Sequence, residues 1–527
     1  MTEDHQRSAT RKSALLLGLL SLLLYCLMAY GGIRSPDEEA VFRVGRTLAE
    51  NGSFALERFE ETLGGFSVAR GTDGKLYSHY APGQAIVLTP VIRAALHINQ
   101  TRWYERTEWK IPASFCVDAT SLRSFLLSLP AANRGEHALR FLTAFVMPVI
   151  SSLLVVAFFF LMRQVTASAA AALLTAGLLA FATPVWSYSD TLFKEPLAML
   201  WLVLSLILLT GNDPLFSGKG KRYPPLVPAG ILLGLAFATH ISAVLLVPFL
   251  IVYAGWPLPA WRHGTLRQNG LVFCRQAAVF TAGFLIPALA FAAYNHVRFG
   301  SIWEVGRTAS QATMNYPQLA LPLEGLLGFL VSPGKGLIWF CPLVVLAAWT
   351  WPRLHARHRV LSTILVAAIA FRLVFLSCRT DWHGGFCLGP RHLLLILPLL
   401  FIPLGLWIKE ILNRHPGLTG KQPAVLSGLF FAAAAQQIYF CLGEPISFYY
   451  LVRNYFFSQG VSILTSNDIY FQWNASPLLY LLEGRRGPFL LQEIPLTNYQ
   501  LLPLLIGGFA LLVTAAAVIL KRIHQKT

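Results

Sequence analysis

Apolar runs of about 20 residues recur along this chain between short polar stretches, each long enough for an α-helix to cross a hydrocarbon layer roughly 30 Å thick. They fall near residues 13–30, 138–162, 167–186, 191–210, 276–293, 336–352, 359–377, 392–410, 423–442 and 500–520. The run over 227–255 is too long for one span and carries His240 in its middle, within "THIS". It predicts a helical hairpin that bends there, with His240 near the outer face, and counting it twice gives about twelve transmembrane helices. Residues 81–96 form a shorter run interrupted by Gln84, Pro90 and Arg93. They are read as lying on or dipping into the outer leaflet, although Arg102, Arg106 and Lys110 behind them would also suit a cytoplasmic loop.

Composition narrows the class. Of 527 residues, 55% are hydrophobic and 13% charged, against about 25% charged in a soluble domain, so the expected fold class is an all-α polytopic membrane protein. The formal charge of +17 does not point to nucleic acid, because the basic residues sit in short loops such as "WRHGTLRQ", "PRLHARHR" and "KEILNRHPGLTGK", where the positive-inside rule holds them in the cytoplasm. The flank Arg7, Arg11 and Lys12 puts the N-terminus on that side. With no small-residue cleavage site after it, the first run is a retained anchor, and the tail "KRIHQKT" falls inside as well. The unusual polar stretches then collect outside. Seven cysteines show no metal-ligand spacing, and a disulfide between Cys378 and Cys387, which flank an outer loop, is compatible with this placement. No internal repeat of the transporter kind is visible. The chain divides into 1–442, with an outer loop over 31–137, and 443–527, an outer loop plus a final span.

The stretch "RSPDEEAVFRVGRTLAENGSF" follows the first span. Ser35 at an N-cap, Pro36 at the first helical position and Glu38 three residues after the serine form a capping box. Val41, Val44 and Leu48 repeat at helical spacing, predicting a short amphipathic helix on the outer membrane surface. Asp37, Glu38 and Glu39 can be read as acids that merely favour the helix N-terminus, by about 0.3–1 kcal/mol. Alternatively, a carboxylate at a water-accessible membrane edge, faced by cations, suits a transferase that activates an acceptor hydroxyl beside a phosphorylated lipid.

"SPDEEAVFRVGRTLAENGSF" followed by "DGKLYSHYAPGQAIVLTPV" resembles the opening of the GT-C superfamily of membrane glycosyltransferases, which includes lipid A aminoarabinose transferases and protein O-mannosyltransferases. "NHVRFGS", "SPGKGLIWFCP" and "DWHGGFCLGPRHLLLILPLL" resemble, in the same order, a bacterial glycosyltransferase-like branch. Where the aminoarabinose transferases carry Lys before Pro-Pro, this chain departs with His79-Tyr80-Ala81-Pro82-Gly83. The resemblance implies inverting transfer of a sugar from a polyprenyl-phosphate donor to a lipid or glycan acceptor, at the outer face of a bacterial inner membrane, by an enzyme among membrane lipids.

On that resemblance Asp37 is the base and Glu38 its companion, while Glu39 is solvated. The lipid phosphate is already a good leaving group, so a glycosidase's second carboxylic acid is not needed. One base and cations for the departing phosphate suffice. Lys75, His79, Tyr80, Lys335, Arg379 and Arg391 are candidates for the donor phosphate, with Arg298 and His392 as further cationic or titratable groups; each taken alone also suits a headgroup contact. Asp190 and Lys194 in "SDTLFKEP", with Glu195 beside them, and Trp382 and His383 are candidates for acceptor and sugar. An Asp190–Lys194 structural pair, or belt aromatics, would explain these equally. No metal or other cofactor is expected. The rival functions are a transporter or flippase of an anionic lipid or sugar phosphate, which calls for charges near the membrane midplane, and a non-catalytic scaffold.

Overall fold

A computed structural model describes residues 3–481 apart from 30, 34, 57–66, 107–133, 212–224, 257–264, 307–318, 416–419, 444 and 461–466. The expected span at 500–520 and Lys110 lie outside the described residues. The described chain is almost entirely helical, a polytopic all-α membrane protein. Six helices are long and apolar enough to cross a membrane, and five shorter apolar helices pack among them.

The chain opens with α1 (Glu3–Met28), α2 (Pro36–Asn51) and a β-hairpin (Val68–Arg70 with Leu76–Ser78), followed by α3 (Gly83–Asn99). Next come α4 (Arg134–Ala144), α5 (Val146–Thr166), α6 (Ala169–Phe181) and α7 (Glu195–Thr210). The 227–255 run folds as the expected hairpin. α8 (Leu226–Thr239) ends where His240 turns extended, a 3-10 stretch over Ile241–Leu246 reverses the chain, and α9 (Val247–Gly255) returns. Both arms lie along the 34-residue α10 (Leu266–Phe299). Gly230 and Gly234 meet it at Phe280, Phe284 and Pro287, Phe237 meets Phe291, and Gly255 on the returning arm meets Phe273.

The run at 336–352 differs from the single span expected. It breaks into Leu337–Phe340, Leu343–Trp349 and Trp351–Arg357, because Pro342 and Pro352 lack the N–H an uninterrupted helix would use. A short helix, α11 (Pro322–Val331), precedes it. α12 (Arg359–Ser377) matches its predicted limits; α13 (Leu397–Arg414), entered through a 3-10 turn at Arg391–Ile396, and α14 (Lys421–Leu442) run slightly beyond theirs. After it, α15 (Pro445–Ser458) and residues 467–481 dock back on the body: the Tyr449 hydroxyl donates to the Gly334 carbonyl at 3.1 Å and the Gly334 N–H to that of Tyr470 at 2.9 Å.

Connections segregate to two ends of the bundle. The α2 region, the 182–194 connection, the His240 turn, the end of α10 and the 378–391 loop share one end. Gln164, Thr210, Arg357 and Lys409 lie at the other.

Candidate active site

The predicted capping box is formed in both directions. The Glu38 N–H donates to the Ser35 hydroxyl at 3.2 Å, and the Ser35 N–H donates to Glu38 Oε2 at 2.8 Å. Gly52 closes α2 in the left-handed conformation that glycine adopts without strain (φ 68°). The helix is not a surface helix. Ala40, Phe42 and Val44 are buried, and Gly45 lets α3 approach so closely that a Cβ there would sit 2.9 Å from Ile92.

The three acids have three different fates. Glu38 is 1% exposed, and its second oxygen, Oε1, accepts the Leu192 N–H at 2.8 Å. It therefore clamps α2 to the 182–194 connection, where the sequence suggested a companion to the base. Glu39, expected to be solvated, is also 1% exposed. It takes a two-point contact from Arg140 (2.7 and 3.0 Å) and another from Arg43 at 2.8 Å. The expectation failed because α4 covers that side of α2, which a helix lying on a membrane would leave open.

Asp37 is the partly open one, with its side chain 23% exposed. Tyr80 donates its hydroxyl to Asp37 Oδ1 at 2.6 Å, and Arg391 Nη1 donates to Oδ2 at 3.0 Å. Burial pushes the Asp37 carboxyl up, but Arg391, the Tyr80 hydrogen bond and Lys194 outweigh it and hold the group below the ordinary carboxylate range. Burial and the Asp37 charge together drive the Tyr80 hydroxyl far above its ordinary value, so it stays a donor. Lys194 lies 4.9 Å over the Tyr80 ring.

Arg391 joins two acids. Its Nε donates to Glu195 Oε1 at 2.7 Å, and its guanidinium lies 3.8 Å over the Phe193 ring. Behind Glu195, His240 Nε2 stands 3.5 Å from Oε1 and Nδ1 lies 2.8 Å from the Ser242 hydroxyl. Arg372 donates to that hydroxyl at 3.0 Å and to the His392 carbonyl at 2.8 Å. One connected polar chain therefore runs Tyr80–Asp37–Arg391–Glu195–His240–Ser242–Arg372. Glu195 and Arg372 were not assigned roles from sequence. Arg372 carried a signal, being a charge inside an apolar run. Glu195 sat beside the named Lys194 with no local mark to separate it.

The remaining candidates fall elsewhere. Asp190 is buried in the connection that Glu38 clamps, and His79 packs its ring edge against Tyr80 at 4.7 Å. Lys75 is 65% exposed at the β-hairpin tip, 3.8 Å from Asp73, and is not brought to Asp37. Arg298 is buried and ties the end of α10 to that hairpin through the Ser78 carbonyl at 2.6 Å. Arg379 is locked in a two-point pair with Asp381 (2.7 and 2.6 Å). Lys335 forms a separate buried knot, donating to the Gly385 carbonyl at 2.8 Å and the Cys387 carbonyl at 2.5 Å, and lies over the Tyr449 ring. Trp382, a candidate for stacking on a sugar or for an interfacial belt, is core. It is 1% exposed, donates to Glu324 at 2.9 Å and fills the space that the missing Cβ of Gly328 leaves. His383 stacks on Tyr470 at 4.5 Å, and burial, with Lys335 nearby, lowers its pKa to about 3. Cys378 and Cys387 are free thiols rather than a disulfide. Among the described residues no three His, Cys, Asp or Glu side chains converge as a metal site would.

A half-open carboxylate is thus wired to cations at one end of a helical membrane bundle. Residues 130–302 match the family model of dolichyl-phosphate-mannose-protein mannosyltransferases. The match supports a GT-C superfamily glycosyltransferase, as the order of the motifs implied. No curated protein matches the chain. Similar solved structures include the oligosaccharyltransferase of Archaeoglobus fulgidus in its apo form, 12% identical over 81% of this chain and 56% of that one, with a TM-score of 0.43. The same enzyme tethered to an acceptor peptide containing the NVT sequon is 13% identical over 80% and 55%, with a TM-score of 0.45. The archaeal oligosaccharyltransferase AglB of that organism, in complex with an inhibitory peptide and a dolichol-phosphate, is 11% identical over 80% and 56%, with a TM-score of 0.46. The chain spans little more than half the length of these proteins.

Proposed function

We propose that this chain is an inverting glycosyltransferase that moves a sugar from a polyprenyl-phosphate donor to a lipid or glycan acceptor, at the outer face of a bacterial inner membrane. The observation that carries this reading is the Tyr80–Asp37–Arg391–Glu195 constellation. It joins the one partly open acid of the Asp37–Glu39 run to an arginine 354 residues away in sequence. The family named for a dolichyl-phosphate sugar supports the donor class. The cationic loops at the end remote from Asp37 support the side.

In this mechanism the donor phosphate takes Arg391 from Asp37, with Lys194 nearby, while Glu195 keeps the guanidinium in place. Loss of that pairing raises the proton affinity of Asp37 just as an acceptor hydroxyl needs a base. The acceptor oxygen attacks the anomeric carbon from the face opposite the phosphate, and its proton passes to Asp37. The anomeric C–O bond breaks, and the electron pair leaves on the polyprenyl phosphate, held by Arg391. In this mechanism Arg391 and Lys194 take the charge of the departing phosphate, and no step calls for a metal. The polar chain gathers at one end of the bundle, which favours this reading over a transporter with charges at mid-depth.

The test is release of polyprenyl phosphate by purified protein reconstituted with a panel of polyprenyl-phosphate sugars and a membrane glycolipid extract. Wild type should release it with one donor, and Asp37→Asn, which keeps the shape and removes the base, should lose on the order of 10²-fold or more. Equal release from both proteins would remove Asp37 from the chemistry. No release with any donor would overturn the function.

A further inference from the structure

At the end of the bundle remote from Asp37, a cavity of about 610 Å³ opens between the Trp351–Arg357 helix and the C-terminal half of α13. Its wall carries Arg353, Arg357 and Lys409, with Glu410 as the acid. Glu410 is already engaged, accepting from Arg353 Nε at 3.0 Å. Arg163 stands three residues before Thr166 on α5, and Lys409 reaches the Thr166 carbonyl. Among the described residues neither Arg163 nor Arg357 has a carboxylate partner, and the one hydrogen bond of Lys409 goes to the Thr166 carbonyl at 2.8 Å, at the C-terminus of α5.

Part of this charge has an ordinary explanation. A lysine at a helix C-terminus complements the dipole, and basic residues collect on the cytoplasmic side of membrane proteins. Neither accounts for three cations, Arg353, Arg357 and Lys409, lining one concave site that holds a single acid. With Glu410 taken by Arg353, the charges of Arg357 and Lys409 are left uncompensated in the cavity and call for an anion. The depth of the site indicates where that anion comes from. Trp349 is exposed, lies 4.6 Å from the Arg353 guanidinium and meets Trp407 edge-on at 5.7 Å. An exposed tryptophan over an arginine suits the headgroup layer, where the indole body is apolar and its tip wet. Pro352 and Leu406 supply apolar wall beside the cations.

We propose that this cavity binds the phosphate of an anionic membrane lipid, with Arg357 and Lys409 as its principal contacts and Arg163 reinforcing them. The site is separate from the Asp37 constellation and stands whether or not the proposed sugar transfer does. Arg353 is held by Glu410 and Trp349 and shapes the wall.

The experiment is native mass spectrometry of the full chain, delipidated in neutral detergent and titrated with phosphatidylglycerol or, separately, phosphatidylcholine. Wild type should retain phosphatidylglycerol selectively. Arg357→Gln combined with Lys409→Gln should weaken that retention by roughly five-fold per cation removed, while Arg357→Lys with Lys409 intact keeps most of it. Inorganic phosphate added alone should not displace the lipid at matched ionic strength, and displacement would assign the site to free phosphate instead. Equal retention by wild type and the double variant, or equal retention of the two lipids, would overturn the proposal. The melting temperature of the double variant in the same detergent, unchanged from wild type, serves as the folding control.

Discussion

At the residue scale, the proposed chemistry rests on how one carboxylate differs from its two neighbours. Glu38 and Glu39 are buried and fully committed, whereas Asp37 keeps an open edge and a cation that a phosphate can take away. Tyr80 and Arg391 both favour its ionised form, which gives a signed prediction. Tyr80→Phe deletes the hydroxyl donor, so the Asp37 pKa rises and the acid limb of the kcat/KM profile moves to higher pH, with roughly a ten-fold loss of activity from the missing charged hydrogen bond. An unmoved acid limb would mean that Asp37 is not the titrating base. Glu195 acts through Arg391 and is a positioning residue. Glu195→Gln removes one of the two negative charges that hold the guanidinium and should raise the donor KM more than it lowers kcat. An equal effect on both, or on thermal stability only, would reduce Glu195 to a structural acid. The capping box was legible at this scale because Ser35 and Glu38 are three residues apart. The Asp37–Arg391 pair was not, since nothing local marks a contact across 354 residues; the Gly/Pro-rich stretches at span ends set Arg391 and Lys335 above the other cations without naming a partner for either.

At the scale of elements, the hydrophobic period located the helices and misjudged what covers them. A helix with acids at its start and Val41, Val44 and Leu48 on one stripe looks half exposed. Only the docking of α3 and α4 reveals that its polar side is buried too. The clearest consequence is the Glu39–Arg140 pair. Burial pushes Glu39 up, but Arg140 and Arg43 more than reverse this and lower its pKa to about 2 from an ordinary 4.5. A depressed carboxylate contributes stability that is fully present above its unfolded pKa and is lost as pH falls through its folded one. The shift is worth about 3 kcal/mol, and the window runs from about 4.5 down to about 2. Glu39→Gln should therefore lower the melting temperature at neutral pH and flatten its pH dependence across that window. Parallel pH curves for wild type and variant would show that the pair is not coupled to folding. The breaks at Pro342 and Pro352 were readable from the sequence, but a 17-residue apolar run outweighed them because hydropathy averages over the donors that proline removes.

At the scale of the whole molecule, the polar chain exists because the hairpin of α8 and α9 turns at the end of the bundle where α2 begins and delivers His240 and Ser242 there. Its arms are too short to be held by propensity, and lipid supplies little hydrophobic drive between helices. The hairpin is held by backbone proximity to α10. A Cβ at Gly283 would lie 2.2 Å from the Val227 carbonyl, and one at Gly230 would lie 2.1 Å from that of Phe280. No flexible side chain can give way there, because the opposing atoms are main chain. Gly283→Ala must then push α8 from α10, carry the His240 turn away from Glu195 and loosen the far end of the polar chain, at a cost on the order of 1–3 kcal/mol. Gly177 in α6 provides the contrast, since it has open space around its missing Cβ. Gly177→Ala removes only unfolded-state freedom and should be neutral or stabilising by up to about 1 kcal/mol. Melting curves of the two variants in one detergent, read beside polyprenyl-phosphate release, test the argument. Gly283→Ala should lose both stability and activity while Gly177→Ala loses neither. Normal activity in a destabilised Gly283→Ala would show that the hairpin turn supports the fold without serving the site.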